Sequence, residues 1–194
     1  MTSELKAALE RKCEEFAKQH QLCGVTNLTR GGEERGEMSE TIFSPDRKYR
    51  YTLYREWEMP LHETREGYAM FIGLNPSTAD ETKDDPTIRR CKGFAKSWGF
   101  ARMYMLNLFA FRATKPRDMM GEPQPVGEEN DKYLTQYARR GFVIAAWGRH
   151  GEFMGRNAEV LSLLDDVHQI GEAGYPRHPL YLPKNLQPAM VVRP

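Results

Sequence analysis

The chain has 194 residues, with 28 Lys and Arg against 27 Asp and Glu and a formal net charge of +1. That length fits one domain, and 40 % hydrophobic against 28 % charged residues supplies a folded core and excludes wholesale disorder. Near-neutral charge excludes a polycation that coats nucleic acid but leaves room for a local basic face. The longest apolar runs, such as Phe142 to Trp147, are far too short to span a bilayer. Glu4, Lys6, Glu10 and Arg11 stand where a secretory signal would be apolar, so a cytoplasmic protein with no membrane contact is expected. Cys13, Cys23 and Cys91 are odd in number and widely spaced, with no Cys-x-x-Cys pair. They read as free thiols in a reducing compartment, and neither metal nor cofactor is expected.

Leu5, Ala8, Leu9, Phe16 and Ala17 recur at helical spacing and predict a helix over 3–20. Gly24, Gly31, Gly32 and Gly36 then suggest a linker. Thr41 to Glu58 reads as a hairpin, turning at Ser44-Pro45-Asp46. Residues 1–60 are thus expected as an N-terminal helix and hairpin extension of a single 1–194 domain.

From residue 68 the pattern alternates. Tyr68 to Ile72 is a buried strand, and Asp85-Pro86 is an N-cap followed by a first-turn proline. Ile88, Cys91, Phe94, Ala95 and Trp98 form the apolar stripe of the helix that follows. Arg102 to Phe109, Phe142 to Trp147 and Val167 to Ile170 are further strands, with helices at Glu128–Arg140 and Glu152–Asp165. Alternation of this kind implies βαβ units and a mainly parallel four-stranded sheet covered on both faces, a three-layer α/β/α sandwich.

Ligands of open parallel sheets bind beyond the carboxyl ends of the strands. Those ends are Gly73 to Thr78, Asn107, Trp147 to His150, and the segment Tyr175 to Pro183. Taken singly, each has a structural reading. Asn75-Pro76 is also a turn, Asn107 a tie for a neighbouring loop, Trp147 packing, His178 a loop histidine. Residues 84–117 hold eight Lys and Arg against Asp84 and Asp85. They read as a solvated face or as a phosphate footprint.

Their order carries more. Gly73-Leu74-Asn75-Pro76 resembles the first motif, Gly-Ile-Asn-Pro, of the mismatch-specific branch of the uracil-DNA glycosylase superfamily. Met103 to Leu108 is similar to the glycosylase strand whose terminal Asn reads the uracil edge. Phe142 to Gly148 is similar to their next strand, ending in Trp-Gly. His178-Pro179-Leu180-Tyr181-Leu182 resembles their His-Pro-Ser-Pro-Leu motif. The four come in the same chain order over residues 68–183. The chain also resembles a narrower bacterial and phage family, Domain of Unknown Function 1643, through Gly73 to Asp80, Asp85-Pro86-Thr87 and Asn107-Leu108-Phe109-Ala110.

The first resemblance implies a uracil-DNA glycosylase-like fold and hydrolytic excision of a modified or mismatched base, in DNA repair or modification. A flipped base would be held by edge hydrogen bonds and stacking. Asn75 would position the attacking water, Asn107 would read the base edge, and His178 would donate to the departing base. Leu182 falls where glycosylases insert a leucine wedge. Fast uracil enzymes carry Asp where this chain has Asn75, so slow turnover is implied, with Asp80 as substitute base. Leu180-Tyr181 replaces Ser-Pro and removes a phosphate-gripping hydroxyl. Gly73, Leu74, Pro76, Ser77, Phe109, Trp147, Arg149, Arg177 and Tyr181 complete the expected substrate contacts, with Tyr181, Phe109 and Trp147 competing as the stacking aromatic. Two other readings stay open: an enzyme acting on a free modified nucleoside or nucleotide, and a non-catalytic reader of modified bases. The expected partner is nucleic acid or a nucleotide in each case.

Overall fold

A computed structural model describes residues 38–80, 82–172 and 174–191. The helix expected over 3–20, the glycine-rich linker, Cys13 and Cys23 lie outside the described residues. β1 (Met38–Phe43) and β2 (Arg50–Glu56) pair antiparallel as the expected hairpin. Ser44 Oγ donates to Asp46 Oδ1 at 2.6 Å and accepts from Tyr49 N at 3.0 Å, local bonds that favour a turn here.

β3 (Tyr68–Gly73) leads through a loop to α1 (Pro86–Ser97). The Asp85 carboxylate caps α1 by accepting from Ile88 N at 2.8 Å, and Pro86 takes the first position. The helix ends where the amides of Gly99 and Phe100 turn back onto the carbonyls of Lys96 and Ala95. β4 (Arg102–Asn107), α2 (Pro116–Met120), α3 (Asn130–Ala138) and β5 (Gly141–Ala145) follow, then α4 (Arg156–Leu163), β6 (Val167–Ile170) and β7 (Pro188–Met190).

The strands form one seven-stranded sheet in the order β1-β2-β4-β3-β5-β6-β7. β4, β3, β5 and β6 run parallel, while β1–β2, β2–β4 and β6–β7 are antiparallel. The chain is α/β as expected, but the four-stranded sheet is only the centre of a wider mixed one. The hairpin is not an appendage. β2 pairs with β4 and is buried along almost its whole length, which residue patterning cannot show because pairing is non-local. β7 is three residues long and begins with a proline, tolerated at a sheet edge. So short a segment leaves no period to read.

Alternation along β3 divides the core. Met70 and Ile72 join Tyr104, Leu106, Leu134 and Val160 on the side covered by α3 and α4. Ala69 and Phe71 join Ile88, Cys91, Phe94 and Trp98 on the side covered by α1. Burying each large apolar side chain contributes roughly 1.5–3 kcal/mol. Burial also pushes the Cys91 thiol well above its usual range. Among the described residues, no helix is long and apolar enough to cross a membrane. From β3 the chain goes to β4 on one side and then to β5 on the other. Strand order therefore reverses at β3, and the crevice of such a sheet opens there.

Candidate functional site

A cavity of about 590 Å³ lies at this reversal, beyond the ends of β3, β4 and β5 and under the segment following β6. Its size is that of a small-molecule site. The strand ends contribute Gly73, Asn107 and Trp147 to its wall.

Asn107 is the last residue of β4 and the register partner of Gly73. Its side chain is 1 % exposed and lines the cavity, and among the described residues neither Nδ2 nor Oδ1 has a hydrogen-bond partner. An unsatisfied buried polar group typically costs about 1–3 kcal/mol. The backbone beneath is fixed. Asn130 Nδ2 donates to the carbonyls of Asn107 and Leu108 at 3.1 and 3.0 Å, and Arg156 Nε donates to that of Leu108 at 3.0 Å. Asn107 thus presents an adjacent donor and acceptor to the cavity on a rigid support.

Asn75 sits in the loop after β3. Its Nδ2 donates to the carbonyls of Ala113 at 2.7 Å and Pro76 at 3.1 Å. Both amide protons are so engaged, and the atom left for the cavity is the acceptor Oδ1.

His178 enters from the segment after β6. Leu180 N donates to its Nδ1 at 3.3 Å, which places the proton of the neutral ring on Nε2. Burial lowers its pKa, opposed by the charge of Asp85, so the imidazole is neutral near pH 7. Gly148 N holds the segment by donating to the carbonyl of Pro176 at 3.1 Å, and a Cβ on Gly148 would lie 3.3 Å from that of His178. From α1, Arg90 donates through Nη2 to the carbonyl of Leu182 and through Nε to that of Pro179. Arg90 is therefore a loop anchor, not part of a free basic stripe. Lys92 is likewise bound, to Asp84 at 3.2 Å.

A family described as "Protein of unknown function (DUF1643)" matches residues 50–180, more than half of the chain. The chain belongs to the DUF1643 family. Comparison with curated proteins and with solved structures returned no significant match.

In this DUF1643 protein the cavity gathers Asn75, Asn107 and His178, as well as Gly73, Leu74, Ser77, Trp147, Arg149, Arg177, Tyr181 and Leu182. Asp80, Pro76 and Phe109 are not on its wall. Asp80 is partly buried, which raises its pKa, but the backbone amides of Thr82 and Lys83 and the Thr82 hydroxyl donate to it and hold it low. It is a turn former. Phe109 is fully buried against Phe153, with ring centroids 5.6 Å apart, and the Pro76 carbonyl accepts from Ala113 N at 3.0 Å. Leu182 is only 4 % exposed and packs in the apolar core, whereas Leu180 and Tyr181 beside it are 40 % and 83 % exposed.

The structure adds residues that were not expected in the site. Asp85 is the carboxylate on the wall, joined by Thr87, Ile88, Met105, Ala113, Thr114 and Pro116. Arg50, the first residue of β2, also lines the cavity. Asp85 was legible as a helix cap and as part of the Asp85-Pro86-Thr87 motif but not as a wall residue, and Arg50 only as one residue of a hairpin strand. Among the described residues, no group of three or more His, Cys, Asp or Glu could hold a metal ion.

Proposed function

We propose that the cavity binds a nucleobase through the Asn107 amide and hydrolyses its N-glycosidic bond. The observation that carries this reading is the unpartnered, buried Asn107 side chain on one wall with Asn75 and His178. An amide that presents donor and acceptor side by side matches the hydrogen-bonding edge of a base. Asn75 Oδ1 accepts a hydrogen bond from the attacking water and orients it. As the glycosidic pair of electrons moves onto the base, His178 Nε2–H donates to the oxygen where charge grows. A neutral donor suits that role, since it stabilises the anion without surrendering a full proton. Asp85 is the group available to stabilise positive charge on the sugar or to take the water's proton.

Excision from nucleic acid and action on a free nucleoside or nucleotide share this chemistry. The burial of Leu182 favours the second, because the residue that falls at the glycosylase wedge position is packed in the core. The test is incubation with single- and double-stranded DNA carrying uracil, mismatched thymine or hydroxymethyluracil, and with the matching nucleosides and nucleotides. Released base, lost in Asn75→Ala and His178→Ala, supports the reading. No release from any of these at stoichiometric protein overturns it. Binding that survives without release, and is indifferent to Asn75→Ala, would make the protein a reader of bases instead.

A further inference from the structure

Arg50 stands apart from the other buried cations. It is 2 % exposed, lines the cavity, and forms no ion pair among the described residues. Among the described residues, Nη1 alone is engaged, donating to the Ala79 carbonyl at 2.8 Å, while Nε is buried without a partner. Arg55 and Arg156 show how this fold ordinarily treats a buried guanidinium. Arg55 donates to Asp84 at 2.8 Å, and Arg156 pairs with Asp131 and Glu159. The carboxylates nearest in charge to Arg50 are Asp85 and Asp80, and Arg112 and Arg55 oppose them. Both carboxylates already accept backbone amides, from Ile88 for the one and from Thr82 and Lys83 for the other. An uncompensated buried guanidinium is expensive unless an anion meets it. Among the described residues, Arg177 adds a second unpartnered, buried Nε on the same wall, and Arg149 a third cation at the rim, against one carboxylate, that of Asp85.

We infer that Arg50 is the floor of an anion subsite within the cavity, and that it takes the phosphate monoester of a nucleotide. The planar guanidinium fork matches an oxyanion bidentately. For the ligand's other end this inference rests on the nucleobase reading above. A phosphate inside a strand must leave the site in two directions. A terminal phosphate need not, and so can reach a side chain almost closed to solvent. The cavity of about 590 Å³ is of the size that holds a whole small ligand, with base at Asn107 and phosphate at Arg50.

Calorimetric titration of the full chain with inorganic phosphate, with the deoxynucleosides including deoxyuridine, and with their 5′- and 3′-monophosphates tests the subsite. At least one monophosphate should bind about tenfold or more tighter than its nucleoside, inorganic phosphate should compete with it, and the gap should close in Arg50→Gln and narrow in Arg50→Lys. Equal affinity for nucleoside and nucleotide with no effect of inorganic phosphate overturns the subsite and leaves the nucleobase reading standing. A gap that persists in folded Arg50→Gln also overturns it. Inorganic phosphate that binds the native chain and not Arg50→Gln, with no nucleoside or nucleotide preferred over it, upholds the subsite and removes the nucleobase reading. If Arg50→Gln does not fold, the nucleotide-to-nucleoside ratio and phosphate competition in the native chain decide. Oligonucleotides with and without a terminal phosphate identify the source. A strand end binds as tightly as the mononucleotide, or only the free nucleotide binds.

Discussion

A Cβ added to Gly73 would stand 2.8 Å from Oδ1 of Asn107, its register partner on β4, and 2.6 Å from Cε of Met105. The missing side chain at one strand end is the space occupied by the amide at the next. Gly73→Ala should therefore keep the fold, lower stability by about 1–3 kcal/mol through overpacking, and displace the amide. Thermal melting and nucleobase titration together check it. An unchanged affinity would show that Asn107 does not make the contact proposed.

Asn107→Leu should make the free protein more stable while abolishing ligand binding. The shape is retained, and an unsatisfied amide worth about 1–3 kcal/mol is removed. A higher urea midpoint with no binding is the expected pair of results. A lower midpoint would mean that the amide is already satisfied in the unliganded protein.

Asn130 holds the end of β4 from behind, through the carbonyls of Asn107 and Leu108, and is fully buried. Asn130→Ala removes both bonds and should cost about 2–4 kcal/mol. Chemical denaturation measures the loss, and affinity should fall with it because the strand end is no longer fixed.

Asp85→Asn separates capping from charge. Asn caps a helix about as well as Asp, so stability should change by less than about 1 kcal/mol. The Asp85 charge raises the pKa of His178 against the lowering effect of burial, so its loss should move the His178 titration to still lower pH, read by NMR of the ring. A turnover loss of about tenfold or more with an intact fold would give Asp85 a part in the chemistry.

His178 also predicts how stability follows pH. Its folded pKa lies below the usual 6.5, so as pH falls the unfolded chain takes the proton first. The contribution is fully present above about pH 6.5 and declines as pH drops toward the folded value. Urea midpoints between about pH 7 and pH 5 should fall more steeply for the native chain than for His178→Asn. Parallel slopes would show that the ring titrates normally.

The sequence made the centre of the fold readable and its margins not. β3, β4, β5 and β6 are short apolar runs between helices, and their ends named Asn75, Asn107, Trp147 and His178 as neighbours before any geometry. Arg50 was not readable, because its place is set by distant chain, its backbone amide donating to the Ala110 carbonyl beyond β4 and its side chain to that of Ala79. Asp80 and Asp85 show the same limit. Both are carboxylates of one loop, and only the fold turns one back on its own amides and faces the other to the cavity. Leu182 was placed by its spacing from His178, but its packing against the core depends on α1, far away in the chain.

Among its described residues, the segment that carries His178 has a short 3₁₀ turn at Pro179–Tyr181, and beyond the Gly148 bond it is held largely from one helix. Arg90 holds the carbonyls of Pro179 and Leu182, and Trp98 Nε1 holds that of Leu186 at 3.1 Å. All three bonds run from side chains within α1 and at its C-cap to the backbone of the segment. The helix and the histidine loop are thus a single cooperative unit. When α1 frays the His178 imidazole loses its address, and amide exchange in the loop should report the opening of the helix rather than a motion of its own.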